Sequence, residues 1–105
     1  MVLGIAYKPG VNDLRESPAL SVLRHLATAG ASISFHDPYV QTIDLDGTEL
    51  HSQPLSEELL ESQDCVVILT AHPGIDYEAI AKVAPLVFDA RGVTRWFDAP
   101  NTVRL

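Results

Sequence analysis

The stretch Gly4-Ile5-Ala6-Tyr7-Lys8-Pro9-Gly10-Val11-Asn12-Asp13-Leu14-Arg15-Glu16-Ser17-Pro18 sets the fold of this chain. Met1 to Ala6 is too apolar and too short for anything but a buried strand. Ser17-Pro18 is an N-cap followed by proline at the first helical position, where a missing N–H is no loss. The charged loop between them therefore opens at the carboxyl end of a strand, which in open α/β sheets is where ligands bind.

Working outward, a helix is expected from about Pro18 to Ala29, with Ala19, Leu20, Leu23, Leu26 and Ala27 on one face and Gly30 as its stop. Ala31 to His36 alternates small polar with apolar residues and ends at Asp37-Pro38, the pattern of a strand near a sheet edge followed by a turn. Residues 39 to 53 hold no sustained period and are expected to be a loop, with room for one short strand or turn. Ser56 caps a short helix with Glu57 and Glu58 in its positive first turn. Cys65-Val66-Val67-Ile68-Leu69 is a continuous apolar run, as in a central parallel strand covered on both faces.

Thr70 to Gly74 is then a second strand-to-helix loop, and Asp76 caps a helix to about Val83 that carries Ile80, Val83 and Ala84 inward before Pro85 ends it. Leu86-Val87-Phe88 is the next buried strand, closing at Asp89-Ala90-Arg91-Gly92, and Thr102 to Leu105 has the make-up of a short final strand. This alternation predicts one domain over residues 1–105, a Rossmann-like three-layer α/β/α sandwich around a mainly parallel sheet of about five strands. Right-handed crossovers place every strand-to-helix loop on the same edge, so Lys8, His72 and Arg91 should face one crevice.

Composition narrows the partners. A chain of 105 residues buries roughly 60 to 70% of its unfolded surface, enough for a core. A net charge of −7 argues against nucleic acid or an anionic membrane as a general partner, and no apolar run approaches the ~18 residues of a spanning helix. The apolar start lacks a basic leader and a cleavage-type ending, so no secretory signal is expected. The one cysteine, Cys65, allows no internal disulfide and suits a reducing cytoplasm. Only Lys8, Arg15, Arg24, Lys82, Arg91, Arg95 and Arg104 can meet an anion, and two of them sit in the opening loop.

Each candidate carries a bland reading beside the functional one. Lys8 is a phosphate-neutralising cation or a solvated loop lysine. Arg15 stands just before an N-cap, at the positive end of a helix dipole, and is either a ligand contact or the partner of Asp13 or Glu16. Arg91 forks onto phosphate or hydroxyls, or pairs with Asp89 to lock its loop. Cys65 opens an apolar strand with no base nearby in sequence and is expected to be buried packing. His72 is expected in a solvent-facing or substrate-rim role, and no residues stand at metal-ligand spacing around it; His25, His36 and His51 are taken as structural. Gly4 and Gly10 do not make Gly-x-Gly-x-x-Gly, so the chain should not hold a dinucleotide alone.

Gly4-Ile5-Ala6-Tyr7-Lys8, Asp13-x-Arg15-Glu16-Ser17-Pro18, Gly30-Ala31, Asp37-Pro38 and Val87-Phe88-Asp89-Ala90-Arg91-Gly92-Val93 together resemble the C-terminal domain of the UDP-glucose/GDP-mannose dehydrogenase family over nearly the whole chain. The resemblance implies that Tyr7, Lys8 and Arg91 contact a UDP-sugar and that Arg15 reaches NAD held by an N-terminal domain. It departs from the family at Ala90, where Gly or Thr is more usual. It further implies a fragment of a longer enzyme, homodimeric or larger, that oxidises the sugar C6 alcohol twice through a cysteine-bound intermediate, with two hydrides passing to two NAD. The catalytic cysteine and its helpers lie in the preceding regions, so no catalytic residue and no metal site is expected in this chain. UDP-glucose and UDP-N-acetylhexosamines are the substrate classes, with the His72 loop and the Asp-x-Arg-Gly-Val ending inclining toward the latter. The rival is a free-standing nucleotide-binding or association module. A response-regulator receiver is disfavoured, because Thr70 stands where a phosphoaccepting Asp would be expected.

Overall fold

The computed structural model describes residues 1–6, 8–10, 14 and 17–105; the candidate residues Tyr7 and Arg15 lie outside the described residues. In chain order the elements are β1 (Val2–Leu3), α1 (Pro18–Thr28), β2 (Phe35–His36), β3 (Thr42–Leu45), β4 (Thr48–His51), α2 (Glu57–Glu61), β5 (Val66–Ile68), α3 (Tyr77–Val83), β6 (Val87–Asp89) and β7 (Thr102–Arg104). Five of the strands form a sheet in the order β2-β1-β5-β6-β7, and every pairing within it is parallel. The expected Rossmann-like parallel sheet of five strands is therefore present.

Strand alternation distributes the core between two layers. Leu3, Val66, Ile68 and Val87 pack with Leu60 of α2 and Ile80 and Ala81 of α3 on one face. Val2 and Phe35 pack with Ala19 and Leu23 of α1 on the other, where Ile43 and Leu45 of β3 add their side chains. Burying one such aliphatic side chain contributes about 1.5–3 kcal/mol. These two clusters are what hold the helices to the sheet.

The helix ends follow their sequence signals. The Ser17 hydroxyl accepts from the Ala19 N–H at 3.3 Å and donates to the Ile5 carbonyl at 2.5 Å, so one side chain caps α1 and ties it to the end of β1. Beyond Ala29, the amides of Gly30 and Ala31 turn back onto the carbonyls of Ala27 and Leu26, the paired bonds of a Schellman ending. Ser56 and Asp76 cap α2 and α3 as expected.

Several expectations are corrected. The first strand stops at Leu3 and does not run to Ala6, because Gly4 turns the backbone to φ +88° and swings the next two amides onto Asp37. The second is confined to Phe35–His36. Residues 42–51 are no loop but an antiparallel hairpin, turned at Asp46-Gly47 with φ of 52° and 91°. Positive φ at both turn residues matches the twist of paired strands and favours Asp-Gly. Ala27 faces solvent, Leu86 is 42% exposed, and Cys65 is only half-buried.

The topology also locates the crevice. From β1 the chain moves to β2 on one side, and after the hairpin and α2 it returns to β5 on the other side of β1. The gap between the carboxyl ends of β1 and β5 is thus a topological switch point, the place where doubly wound sheets take ligands.

Candidate functional site

Four loops leave the carboxyl ends of β2, β1, β5 and β6, bringing Asp37, Lys8, His72 and Arg91 to one edge of the sheet in that spatial order. Lys8 and Arg91 are both exposed. Their parent strands flank β5, so the two loops spring from points about 10 Å apart, two strand spacings. That is a distance an extended nucleoside diphosphate can bridge.

Beneath Lys8 lies a buried polar frame. The Asp37 carboxylate, 1% exposed, accepts the amide N–H groups of Ile5 at 2.7 Å, Ala6 at 3.0 Å and Tyr39 at 2.8 Å, and meets His72 Nε2 at 2.9 Å. Burial works against its charge, but the Ala6, Ile5 and Tyr39 amides and the His72 ring outweigh burial and hold the carboxyl below its ordinary range. The other ring nitrogen, Nδ1, accepts the Gly10 N–H at 3.0 Å. An amide can only donate, so this ring is the neutral tautomer with its proton on Nε2, aimed at Asp37. Tyr39 leans on the ring, with centroids 4.9 Å apart.

Thr70 completes the frame, its hydroxyl donating to the Ala6 carbonyl at 2.8 Å. The Tyr77 hydroxyl reaches the carbonyls of Thr70 and His72 at 3.4 Å each. Burial, together with the negative charges of Asp37 and Asp89 and against the hydrogen bond to His72, pushes the phenol up to about 12.

Arg91 is presented by a second frame. Asp89, buried at the end of β6, accepts the amides of Arg91 at 2.9 Å and Gly92 at 2.8 Å on one oxygen. Its other oxygen takes the Thr94 amide at 2.9 Å and the Thr94 hydroxyl at 2.7 Å. Burial again opposes the charge, and the Thr94 hydroxyl with the Thr94, Arg91 and Gly92 amides prevails, keeping this carboxyl low as well. Asp89 does lock the loop, but through the Arg91 backbone amide and not through its guanidinium.

Four other cations have partners of their own. Arg24 pairs with Asp46, Lys82 with Glu78, Arg104 binds the Thr94 hydroxyl and carbonyl, and Arg95 lies 5.3 Å over the Trp96 ring. The expectation for His72 is overturned: it is 1% exposed and frames the crevice from below, with no place at a solvent rim. Its partner Asp37 was legible only as a turn former, and Thr70 carried no local signal. Among the described residues, no three His, Cys, Asp or Glu side chains cluster to hold a metal ion.

An apolar groove of about 370 Å³ lies between α2 and α3, lined by Leu55, Leu60, Ile75, Ile80 and Val83 with the acids Glu57 and Asp76 at its border. With no Lys or Arg in its lining it does not suit a diphosphate. Among the described residues at the start of α1, Pro18 has no N–H to offer a phosphate, and the Ser17 hydroxyl takes the Ala19 amide.

Fold and edge together define a Rossmann-like α/β domain with cations at its strand ends. Residues 1–96 match the UDP binding domain of the UDP-glucose/GDP-mannose dehydrogenase family, and the chain belongs to that family. It is 32% identical to the UDP-N-acetyl-D-mannosamine dehydrogenase of Methanococcus maripaludis strain S2, over 99% of this chain and 26% of that protein. It is 29% identical to the UDP-glucose 6-dehydrogenase TuaD of Bacillus subtilis, over 88% of this chain and 22% of the relative. The solved structure of the UDP-D-ManNAc dehydrogenase of Pyrococcus horikoshii superposes with a TM-score of 0.73 at 28% identity, covering 98% of this chain and 23% of the other. The chain spans about a quarter of the length of these relatives. No helix among the described residues is long and apolar enough to cross a membrane.

Proposed function

We propose that residues 1–105 are a single domain, the C-terminal UDP-binding domain of a longer NAD-dependent UDP-sugar 6-dehydrogenase. The observation that carries this reading is the pair of exposed cations, Lys8 and Arg91, held on framed loops either side of the switch point in a chain whose net charge is −7. In an acidic protein, positive charge gathered at one sheet edge focuses the field on an anion such as a diphosphate. Tyr7 and Lys8 contact the nucleotide sugar from one side and Arg91 from the other, and Arg15 reaches toward NAD.

The rest of the enzyme supplies the dinucleotide site and the nucleophile, since this chain carries no Gly-x-Gly-x-x-Gly and its lone cysteine stands at the opposite, amino-terminal end of β5. Oxidation of the sugar C6 alcohol to the acid gives up two hydrides, each taken by one NAD. The whole enzyme is proposed as a cytoplasmic assembly of two or more copies. UDP-glucose or a UDP-N-acetylhexosamine is the proposed substrate, in keeping with the relatives' names.

In the full-length enzyme Lys8→Ala should raise KM for the UDP-sugar or lower kcat by about ten-fold or more, on the order of 1.4 kcal/mol. Steady-state NADH formation with each UDP-sugar measures it. Wild-type kinetics in that variant would remove Lys8 from the site, and no NADH with any UDP-sugar in the unmutated enzyme would remove the dehydrogenase reading.

A further inference from the structure

We propose that His72 is a positioning residue for the UDP site: it holds the Lys8 loop in its binding geometry before ligand arrives, through the Gly10 amide. The inference rests on the UDP-binding reading above and adds a residue to it. Lys8 lies between two anchored points. On one side the Ala6 amide is bound by Asp37 and the Ala6 carbonyl by Thr70; on the other the Gly10 amide is bound by His72. No side chain other than His72 meets Gly10 among the described contacts, so the far anchor depends on one ring nitrogen.

The ring has two separable jobs. Nε2 joins it to Asp37 at 2.9 Å, within the buried core of the crevice floor, and Nδ1 reaches up to the loop at 3.0 Å. The first bond orients the imidazole and fixes its tautomer; the second delivers that orientation to the backbone two residues past Lys8. A cation held in place loses less freedom when a phosphate binds, so pre-ordering appears as affinity. Arg91, with Asp89 beneath it, has the same logic built from a carboxylate alone.

Two substitutions separate the jobs. In His72→Asn the side-chain amide oxygen takes the place of Nδ1 and keeps an acceptor for Gly10. In His72→Gln the amide nitrogen takes the place of Nε2, keeping the donor to Asp37 while the Gly10 acceptor is lost. The experiment uses the full-length enzyme, with UDP titrated by calorimetry and Gly10 amide exchange followed by mass spectrometry. His72→Gln should weaken UDP about ten-fold and speed Gly10 exchange, while His72→Asn, which keeps the Gly10 acceptor but loses the bond to Asp37, should do both to a clearly smaller degree. Lys8→Ala should weaken UDP with Gly10 exchange unchanged.

Equal weakening by Asn and Gln, or none by either, would overturn the positioning role while leaving the UDP-binding reading intact. Should both variants fail to fold, unmutated enzyme decides: Gly10 protected without UDP supports the clamp, and Gly10 unprotected until UDP is added overturns it. Unmutated enzyme that binds no UDP at all overturns the functional reading, and this inference with it.

Discussion

Replacing Asp37 by alanine should destabilise the isolated chain by about 3–5 kcal/mol, since each buried donor left without its acceptor costs about 1–3 kcal/mol. The substitution strands three amide donors, those of Ile5, Ala6 and Tyr39, together with the proton on His72 Nε2, all in a site closed to water. For a domain of this size that corresponds to a fall in Tm of about 15 °C or more. Asp37→Asn should cost less, about 1–3 kcal/mol, because its oxygen can still take the Ile5, Ala6 and His72 bonds and only the Tyr39 amide is left facing a donor. Urea unfolding of the three proteins measures the order. Alanine and asparagine variants of equal stability would mean that the carboxylate does not organise the crevice floor.

Gly4→Ala should cost about 3 kcal/mol or more, from two sources that add. The backbone sits at φ +88°, where a side chain is strained by about 1–3 kcal/mol. An added Cβ would also stand 2.5 Å from both the Cβ and the carbonyl oxygen of Thr70 and 2.7 Å from its amide nitrogen. Those atoms cannot swing aside, because β1 and β5 are hydrogen-bonded neighbours. The same movement would pull Thr70 off the Ala6 carbonyl, so the variant should lose UDP affinity along with stability. A Tm within a degree or two of wild type would show that the two strands can part without harm.

Acid should unfold the chain through the same frames. The Asp37 and Asp89 carboxyls are held below their ordinary value of 3.8, so the stability they contribute is fully present above that value and is lost as pH falls through their lower folded-state values. The urea midpoint should therefore be insensitive to these groups between pH 5 and pH 8, roughly, and drop steeply below about pH 4. On the alkaline side Tyr77 acts in the opposite sense: its folded value is raised, so its contribution is present below the ordinary 10.0 and is lost as pH rises toward about 12. A midpoint unchanged between pH 7 and pH 3 would contradict the carboxylate frames.

Local signals carried the fold a long way. Ser17-Pro18, Ser56 and Asp76 each announce a helix by chemistry confined to the first turn, and the Cys65–Leu69 run has the composition of a central parallel strand. Where an element depends on a distant partner, the sequence is silent. His72 is buried because Asp37, thirty-five positions away, is there to accept the hydrogen bond from its Nε2–H. Gly4 ends β1 early because the next two amides turn to Asp37, thirty-three positions away, and Thr70 beyond β5 leaves no room there for a side chain. The hairpin over residues 42–51 is a different case: Asp46-Gly47 is a strong turn signal, but its strands bury only Ile43 and Leu45, too few apolar positions to declare an alternation.

At the site, exposed cations at strand ends were legible because charge is scarce in this chain and Lys8 and Arg91 follow apolar runs. What frames them was not legible. Asp37 and Asp89 look like ordinary turn and loop acids, yet each is buried and saturated with backbone donors. The division is physical: exposed charges show in composition, whereas the buried groups beneath their loops are defined by contacts across the sheet.

The most direct test of the central claim is a titration of the isotope-labelled chain with UDP, followed by backbone amide shifts. Shifts confined to the loops after β1, β5 and β6, with Lys8, Gly10, His72 and Arg91 among the largest, are the predicted result. Shifts centred on the apolar groove between α2 and α3, or none as UDP is raised into the millimolar range, would contradict it.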